Sequence, residues 1–125
     1  METETGIPPL SLRIRVVQGR DLLLGPGRAD LLAFIQETGS IAAAGRRMGM
    51  SYKRAWQLAE SMNATFRAPL IHAAKGGVAG GGAQLTDLGV AVLAAYRQLE
   101  AMSRRGGASA LDVLADARGA KAPDV

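Results

Sequence analysis

Residues 38–58 read TGSIAAAGRRMGMSYKRAWQL, and this pattern predicts two short helices joined by a tight turn. Ser40 and Ser51 each stand where a helix can begin, because a serine hydroxyl can accept a hydrogen bond from a free backbone N–H of the first turn. Gly49 lies between them and favours the left-handed conformation that ends a helix. The stretch therefore predicts a helix-turn-helix, whose second helix enters the DNA major groove.

Each predicted helix has one apolar face at helical spacing. In the first helix that face is Ile41, Ala44 and Met48, and in the second it is Ala55, Leu58, Ala59 and Met62. The opposite face of the second helix carries Tyr52, Lys53, Trp56 and Gln57, with Arg54 at its edge. Two capped amphipathic helices also occur in small helical bundles that bind no DNA, so the flanking sequence has to decide between the two interpretations.

The sequence before the motif predicts a β-hairpin and one more helix. Residues 10–18 alternate between apolar and polar side chains, which is typical of a half-buried strand. Residues 19–21 favour a turn, and residues 22–24 a short partner strand. Gly25, Pro26 and Gly27 end that strand and begin a helix to about Glu37, since proline is favoured at the first helical position.

The sequence after the motif predicts a wing. Residues 70–75 read as a strand, residues 76–82 contain five glycines, and residues 83–85 read as a returning strand. The glycine run lacks the Gly-Lys-Ser/Thr ending of a phosphate-binding P-loop. A strand, a glycine loop and a strand behind a recognition helix indicate a winged helix, although a merely mobile hairpin has the same sequence pattern.

A long amphipathic helix is predicted from Thr86 to about Arg105. Its apolar stripe exceeds what a three-helix core with a wing requires, so we expect part of it to pack on the N-terminal hairpin and part on a second copy of the chain. The predicted dimerisation residues are Leu88, Val92, Leu93, Tyr96 and Leu99. The predicted fold class is mainly α with a small β component: a winged helix-turn-helix with an N-terminal β-hairpin and a long C-terminal dimerisation helix.

Length and composition restrict the function classes. The 125 residues suit one domain, predicted at 10–105, with a disordered segment at 1–9 and a flexible tail at 106–125 that has room for a short helix. There is no cysteine and a single histidine, His72, so we expect no metal site. The glycine run is not a dinucleotide-binding fingerprint and the chain offers no nucleophile–base constellation, so we also expect no cofactor and no enzyme activity. No apolar run approaches the roughly 20 residues of a membrane span, and no signal peptide is evident. We expect a cytoplasmic protein without membrane contact.

Positive charge is concentrated on the motif and the segment after it. The formal net charge is +4, yet residues 45–75 contain six basic residues and one acidic residue, Glu60. Such a patch is the electrostatic footprint of a surface that meets phosphates, although a solvated basic face is the common alternative. The predicted DNA-binding residues are Ser40, Arg46, Arg47, Ser51, Tyr52, Lys53, Arg54, Trp56, Gln57, Lys75 and Gly77. Trp56 has a specific alternative role, which is to pack at the base of its helix.

Several of these short motifs, taken in order, resemble one family. The sequence has Glu37-Thr-Gly-Ser-Ile, then Met50-Ser-Tyr-Lys-Arg-Ala-Trp, Met62-Asn, Pro69-Leu, Gly76-Gly and the glycine run before Leu85-Thr. This order resembles the N-terminal DNA-binding domain of the ModE family of molybdate-responsive transcription regulators. The resemblance covers roughly residues 10–102. It implies a dimeric winged helix-turn-helix that binds a palindromic operator, with Ser51, Tyr52 and Lys53 opening the recognition helix.

The resemblance does not extend to the C-terminal molybdate-binding domains of that family, and no molybdate site is evident in this sequence. We expect a sequence-specific, dimeric regulator of transcription that binds double-stranded DNA, with a role in molybdenum-related genes implied by the resemblance alone and the small-molecule effector left open. Two alternatives stay open. One is a winged helix that docks a protein partner, and the other is an architectural protein that binds DNA without sequence preference.

Overall fold

Helices make up most of the computed structural model, which describes residues 9–74 and 82–119. Among these residues the helices are α1 (Pro26–Thr38), α2 (Ile41–Arg47), α3 (Tyr52–Thr65), α4 (Asp87–Gly106) and α5 (Ala108–Arg118). The predicted helices around the turn correspond to α2 and α3. The helix that sequence left optional near the C-terminal end forms as α5.

Two small antiparallel hairpins complete the described structure. The first pairs β1 (Val16–Gln18) with β2 (Asp21–Leu24), and the second pairs β3 (Ile71–Ala73) with β4 (Ala83–Leu85). The first is the predicted N-terminal hairpin and the second is the base of the predicted wing. The mainly helical winged helix-turn-helix class is therefore confirmed.

The N-terminal strand is shorter than the alternation predicted. Residues 10–18 were expected to form one strand, but only Val16–Gln18 pairs with β2. Val16 pairs with Leu24, the last residue of β2. The following Gly25 and Pro26 begin α1, so no partner strand remains for residues 10–15. Half-buried and exposed side chains still alternate from Leu12 to Val17, which shows that the alternation reported burial rather than strand length.

The chain consists of two compact units. The larger is Arg13–Gln98, and the described part of the smaller is residues 9–12 and 99–119. The larger unit holds the hydrophobic core, in which Leu31, Leu32 and Ile35 of α1 are fully buried. Each such side chain contributes about 1.5–3 kcal/mol by leaving water. Core residues from the other elements include Ile41, Ala44, Ala55, Ala59, Met62, Leu70, Leu93 and Tyr96. In the smaller unit, α5 has no buried residue.

The turn between α2 and α3 is built as the sequence predicted. The Ser40 hydroxyl accepts a hydrogen bond from the Ala43 N–H at 3.0 Å, and the Ser51 hydroxyl accepts one from the Arg54 N–H at 3.1 Å. Gly49 takes the left-handed conformation, with φ at 71°. Gly45 has an additional role, because a Cβ there would lie only 2.9 Å from the Cβ of Ala55. Glycine at this position therefore sets the close approach of α2 to α3.

The first part of α4 packs into the larger unit. The Thr86 hydroxyl accepts a hydrogen bond from the Gly89 N–H at 3.0 Å and so caps the start of α4. Gly89 lies so close to the backbone of Leu70 that a Cβ there would collide with the Leu70 carbonyl oxygen. Further along, the Tyr96 hydroxyl donates to the Ile14 carbonyl oxygen at 2.6 Å. These contacts fix α4 against the start of β3 and against the segment that precedes β1.

Candidate nucleic-acid interface

The outer face of α3 presents side chains suited to DNA. Tyr52 is 59% exposed and Trp56 is 38% exposed, and they stand one helical turn apart. Lys53 and Gln57 are exposed with the same spacing beside them, and Arg54 is exposed nearby. The buried side of the helix is Ala55, Ala59 and Met62. The polar and apolar faces therefore divide as predicted, and Trp56 lies at the surface rather than within the core.

The side chains of Ser40 and Ser51 cap the first turns of α2 and α3. Both hydroxyls accept from first-turn N–H groups, and the Ser40 N–H itself donates to the Thr38 hydroxyl at 3.2 Å. Ser40 therefore organises the start of α2 through its side chain. A direct phosphate contact from Ser40 or Ser51 stays a prediction.

The two arginines at the end of α2 are in different surroundings. Arg47 forms an ion pair with Glu37, with 2.8 Å between Nη1 and Oε1, and its guanidinium carbon lies 5.5 Å from the centre of the Phe34 ring. Arg46 is exposed and forms no ion pair with any residue of the described ranges. Arg46 is therefore the better placed of the two to attract a phosphate, because part of the Arg47 charge is already balanced.

The base of the wing is anchored to the helix-turn-helix at both strands. The Ala83 N–H donates to the Gly39 carbonyl oxygen at 2.9 Å, and this carbonyl belongs to the junction between α1 and α2. On the other strand, Asn63 of α3 bonds to the backbone of Leu70 and Ile71. His72 and Gln84 face each other across the two strands and are exposed. Lys75 and Gly77, predicted to contact DNA from the wing, lie outside the described residues.

The structure shows the placement of two further residues of α3, Glu60 and Asn63, which the sequence analysis did not include among the site residues. Glu60 is exposed one turn beyond Trp56, so a carboxylate lies on the same face as the aromatic and basic side chains. The i, i+4 spacing from Trp56 could have identified it. The hydrogen bonds of Asn63 could not be predicted from helical spacing, because its partners are backbone groups outside α3.

The predicted dimerisation residues fall into three environments. Leu93 and Tyr96 are buried in the core of the larger unit, with 6% and 2% exposure, so they offer no surface to a second copy in this structure. Leu88 and Val92 are partly buried against the same core. Leu99 is 45% exposed. The apolar stripe was recognised correctly, but most of it is covered by the protomer itself.

The fold and the exposed face of α3 define a winged helix-turn-helix protein whose α3 carries exposed basic side chains. None of the described helices is long and apolar enough to cross a membrane. No protein-family model matches the chain. Several individual proteins are nevertheless similar to it.

The chain is 51% identical over 78 residues to the molybdenum-pterin-binding protein MopB of Rhodobacter capsulatus, which covers 62% of this chain and 29% of that protein. It is 38% identical over 95 residues to the transcriptional regulator ModE of Yersinia pestis. Identity to the DNA-binding transcriptional dual regulator ModE of Escherichia coli (strain K12) is 37% over 95 residues, and both alignments cover 76% of this chain and 35% of the relative. The chain thus spans about a third of the length of these curated relatives. Over the region that it shares with them, the chain is similar to proteins of the ModE family.

Proposed function

We propose that this chain binds double-stranded DNA sequence-specifically as a transcription regulator, with α3 as the recognition helix. The observation that carries the proposal is the exposed face of α3, where Tyr52 and Trp56 remain at the surface beside Lys53 and Gln57. Exposed aromatic side chains of this size are typical of surfaces that become buried against a binding partner. Here they stand together with donors that can reach guanine O6 and N7 or adenine N7.

The electrostatics support the same proposal. Arg46, Lys53 and Arg54 are exposed at the end of α2 and the start of α3, around the turn that a helix-turn-helix directs at DNA. Neutralising phosphates with such residues releases counterions, so binding should weaken steeply as salt rises. The name of the Escherichia coli relative, a DNA-binding transcriptional dual regulator, agrees with this role.

In this proposal the chain acts as a homodimer on a palindromic operator. Two recognition helices related by a two-fold axis read half-sites that are about 34 Å apart, or a multiple of that distance. The exposed Leu99 on α4 is the residue of the predicted set that remains available for the dimer contact. A role in molybdenum-related genes rests on the names of the relatives.

Selection from a random duplex library tests this function. Enrichment of a palindrome supports a dimeric, sequence-specific regulator, and molybdate can then be added to learn whether it changes affinity for that palindrome. Binding without any enriched sequence would replace the proposal with an architectural role. Absence of binding at low salt would replace it with a winged helix that docks a protein partner.

A further inference from the structure

A polar cavity of about 440 Å³ lies between the N-terminal hairpin, α1 and the C-terminal half of α3. Gln18, Arg20 and Asp21 contribute from the hairpin, Arg28 from α1, and Ser61 and Thr65 from α3. None of these residues belongs to the DNA-binding set predicted from the sequence. The cavity therefore requires an explanation of its own.

Arg28 is the fixed group in this cavity. Its Nη1 donates to the Leu22 carbonyl oxygen at 3.2 Å and its Nη2 donates to the Ser61 hydroxyl at 3.0 Å. These bonds hold the guanidinium in one orientation, and its five N–H groups exceed the bonds formed. Arg28 forms no ion pair with any residue of the described ranges. A partly buried, oriented guanidinium that pairs with no carboxylate of the described residues is suited to bind an anion.

The neighbouring groups add donors and charge. Ser61 accepts from Arg28, so its own hydroxyl hydrogen can be donated to a ligand. Arg20 is exposed at the hairpin turn and supplies a second guanidinium to the same cavity. Asp21 also lines it, which leaves an excess of positive charge from the two arginines. Thr65 is less available as a donor, because its hydroxyl already donates to the Ser61 carbonyl oxygen at 2.8 Å.

We propose that this cavity binds a phosphate-type tetrahedral oxyanion through Arg20, Arg28 and Ser61. Guanidinium groups bind such oxygens with charge-assisted hydrogen bonds. The anion can be free in solution or can be a backbone phosphate of DNA. Because Ser61 lies on α3, an anion bound here contacts the proposed recognition helix directly, on the part of the helix that follows its candidate base-reading residues.

Titration of the full ¹⁵N-labelled chain with inorganic phosphate, without DNA and at constant ionic strength against chloride, tests the site. We expect saturable shifts of the amide signals of residues 18–23 and 61–65. Arg20→Gln should weaken phosphate binding by about five- to tenfold, since a charge-assisted hydrogen bond is lost. Arg13→Gln removes the same charge from an exposed position outside the cavity and is the matched control.

Shifts that rise linearly without saturation, or an equal effect of Arg20→Gln and Arg13→Gln, would overturn the proposal. This titration contains no DNA, so its result is independent of whether the chain regulates transcription. Where saturable binding is found, the salt dependence of DNA affinity identifies the source of the anion. A backbone phosphate predicts that Arg20→Gln reduces the slope of log K against log salt by about one, and a free anion predicts an unchanged slope.

Discussion

Asn63 and Ile71 are joined by two hydrogen bonds in opposite directions. The Asn63 Nδ2 donates to the Ile71 carbonyl oxygen, and the Ile71 N–H donates to the Asn63 Oδ1, each at 3.0 Å. The same Oδ1 accepts from the Leu70 N–H at 2.8 Å. One side chain on α3 thus satisfies three backbone groups at the start of the wing. The position of the wing relative to the proposed recognition helix depends on this amide.

Asn63→Ala should destabilise the protein by about 2–4 kcal/mol, because partly buried backbone groups lose their partner. Urea unfolding followed by circular dichroism measures the change. Asn63→Asp keeps the acceptor for Leu70 and Ile71 but replaces the donor with an oxygen that faces the Ile71 carbonyl oxygen, so it should also destabilise the protein. Equal unfolding midpoints for wild type and Asn63→Ala would show that the amide does not anchor the wing.

Gly89→Ala should also destabilise the fold, by about 1–3 kcal/mol. A methyl group at Gly89 meets the backbone of Leu70, which cannot move away as a flexible side chain could. Gly27→Ala is the matched control, since a Cβ at Gly27 meets nothing within 4 Å and alanine is the better helix former. Thermal unfolding should rank Gly27→Ala at or above wild type and Gly89→Ala below it. The reverse order would contradict the close approach of α4 to β3.

The dimer contact needs a variant that leaves the core intact. Leu93→Glu places a carboxylate in the core, so we expect it to unfold the protein, with a loss of about 4 kcal/mol or more. Leu99→Glu changes an exposed position and should leave the fold unchanged. Sedimentation of Leu99→Glu should give a monomer if α4 forms the interface. A folded dimer would show that the contact lies elsewhere.

Lys53→Ala should weaken binding to the selected duplex by about 1–3 kcal/mol if Lys53 reads a base. Its exposed position on α3 predicts no loss of fold stability. Affinity is measured on the selected duplex and on a scrambled duplex of the same length. Equal weakening on both would assign Lys53 to a phosphate instead of a base.

The local features of this fold were readable from the sequence. Ser40, Gly49 and Ser51 specify caps and a turn through their own chemistry, so they predicted α2 and α3 closely. The alternation predicts too long an N-terminal strand, because it reports which side chains are buried and not which residues pair. Pairing also requires a partner strand, and β2 is too short to pair with residues 10–15. The apolar stripe of α4 predicts a buried face but does not distinguish burial within one copy of the chain from burial against a second copy, and the structure buries Leu93 and Tyr96 within one copy.

The polar groups that hold the elements together were harder to predict. Asn63 bonds to backbone atoms seven and eight residues further along the chain, and nothing in its sequence surroundings specifies those partners. Arg28 likewise bonds to Ser61, 33 residues away. Long-range contacts of this kind are set by how the helices pack, and a single sequence contains no direct signal for them.

The most direct test of the proposed function is the affinity of the wild-type chain for its selected duplex and for a scrambled duplex over a range of salt concentrations. We predict that both affinities fall steeply with salt and that the selected duplex is bound at least about 10³-fold more tightly. Equal affinities for the two duplexes, or no measurable binding at low salt, would contradict the assignment of α3 as a sequence-reading helix.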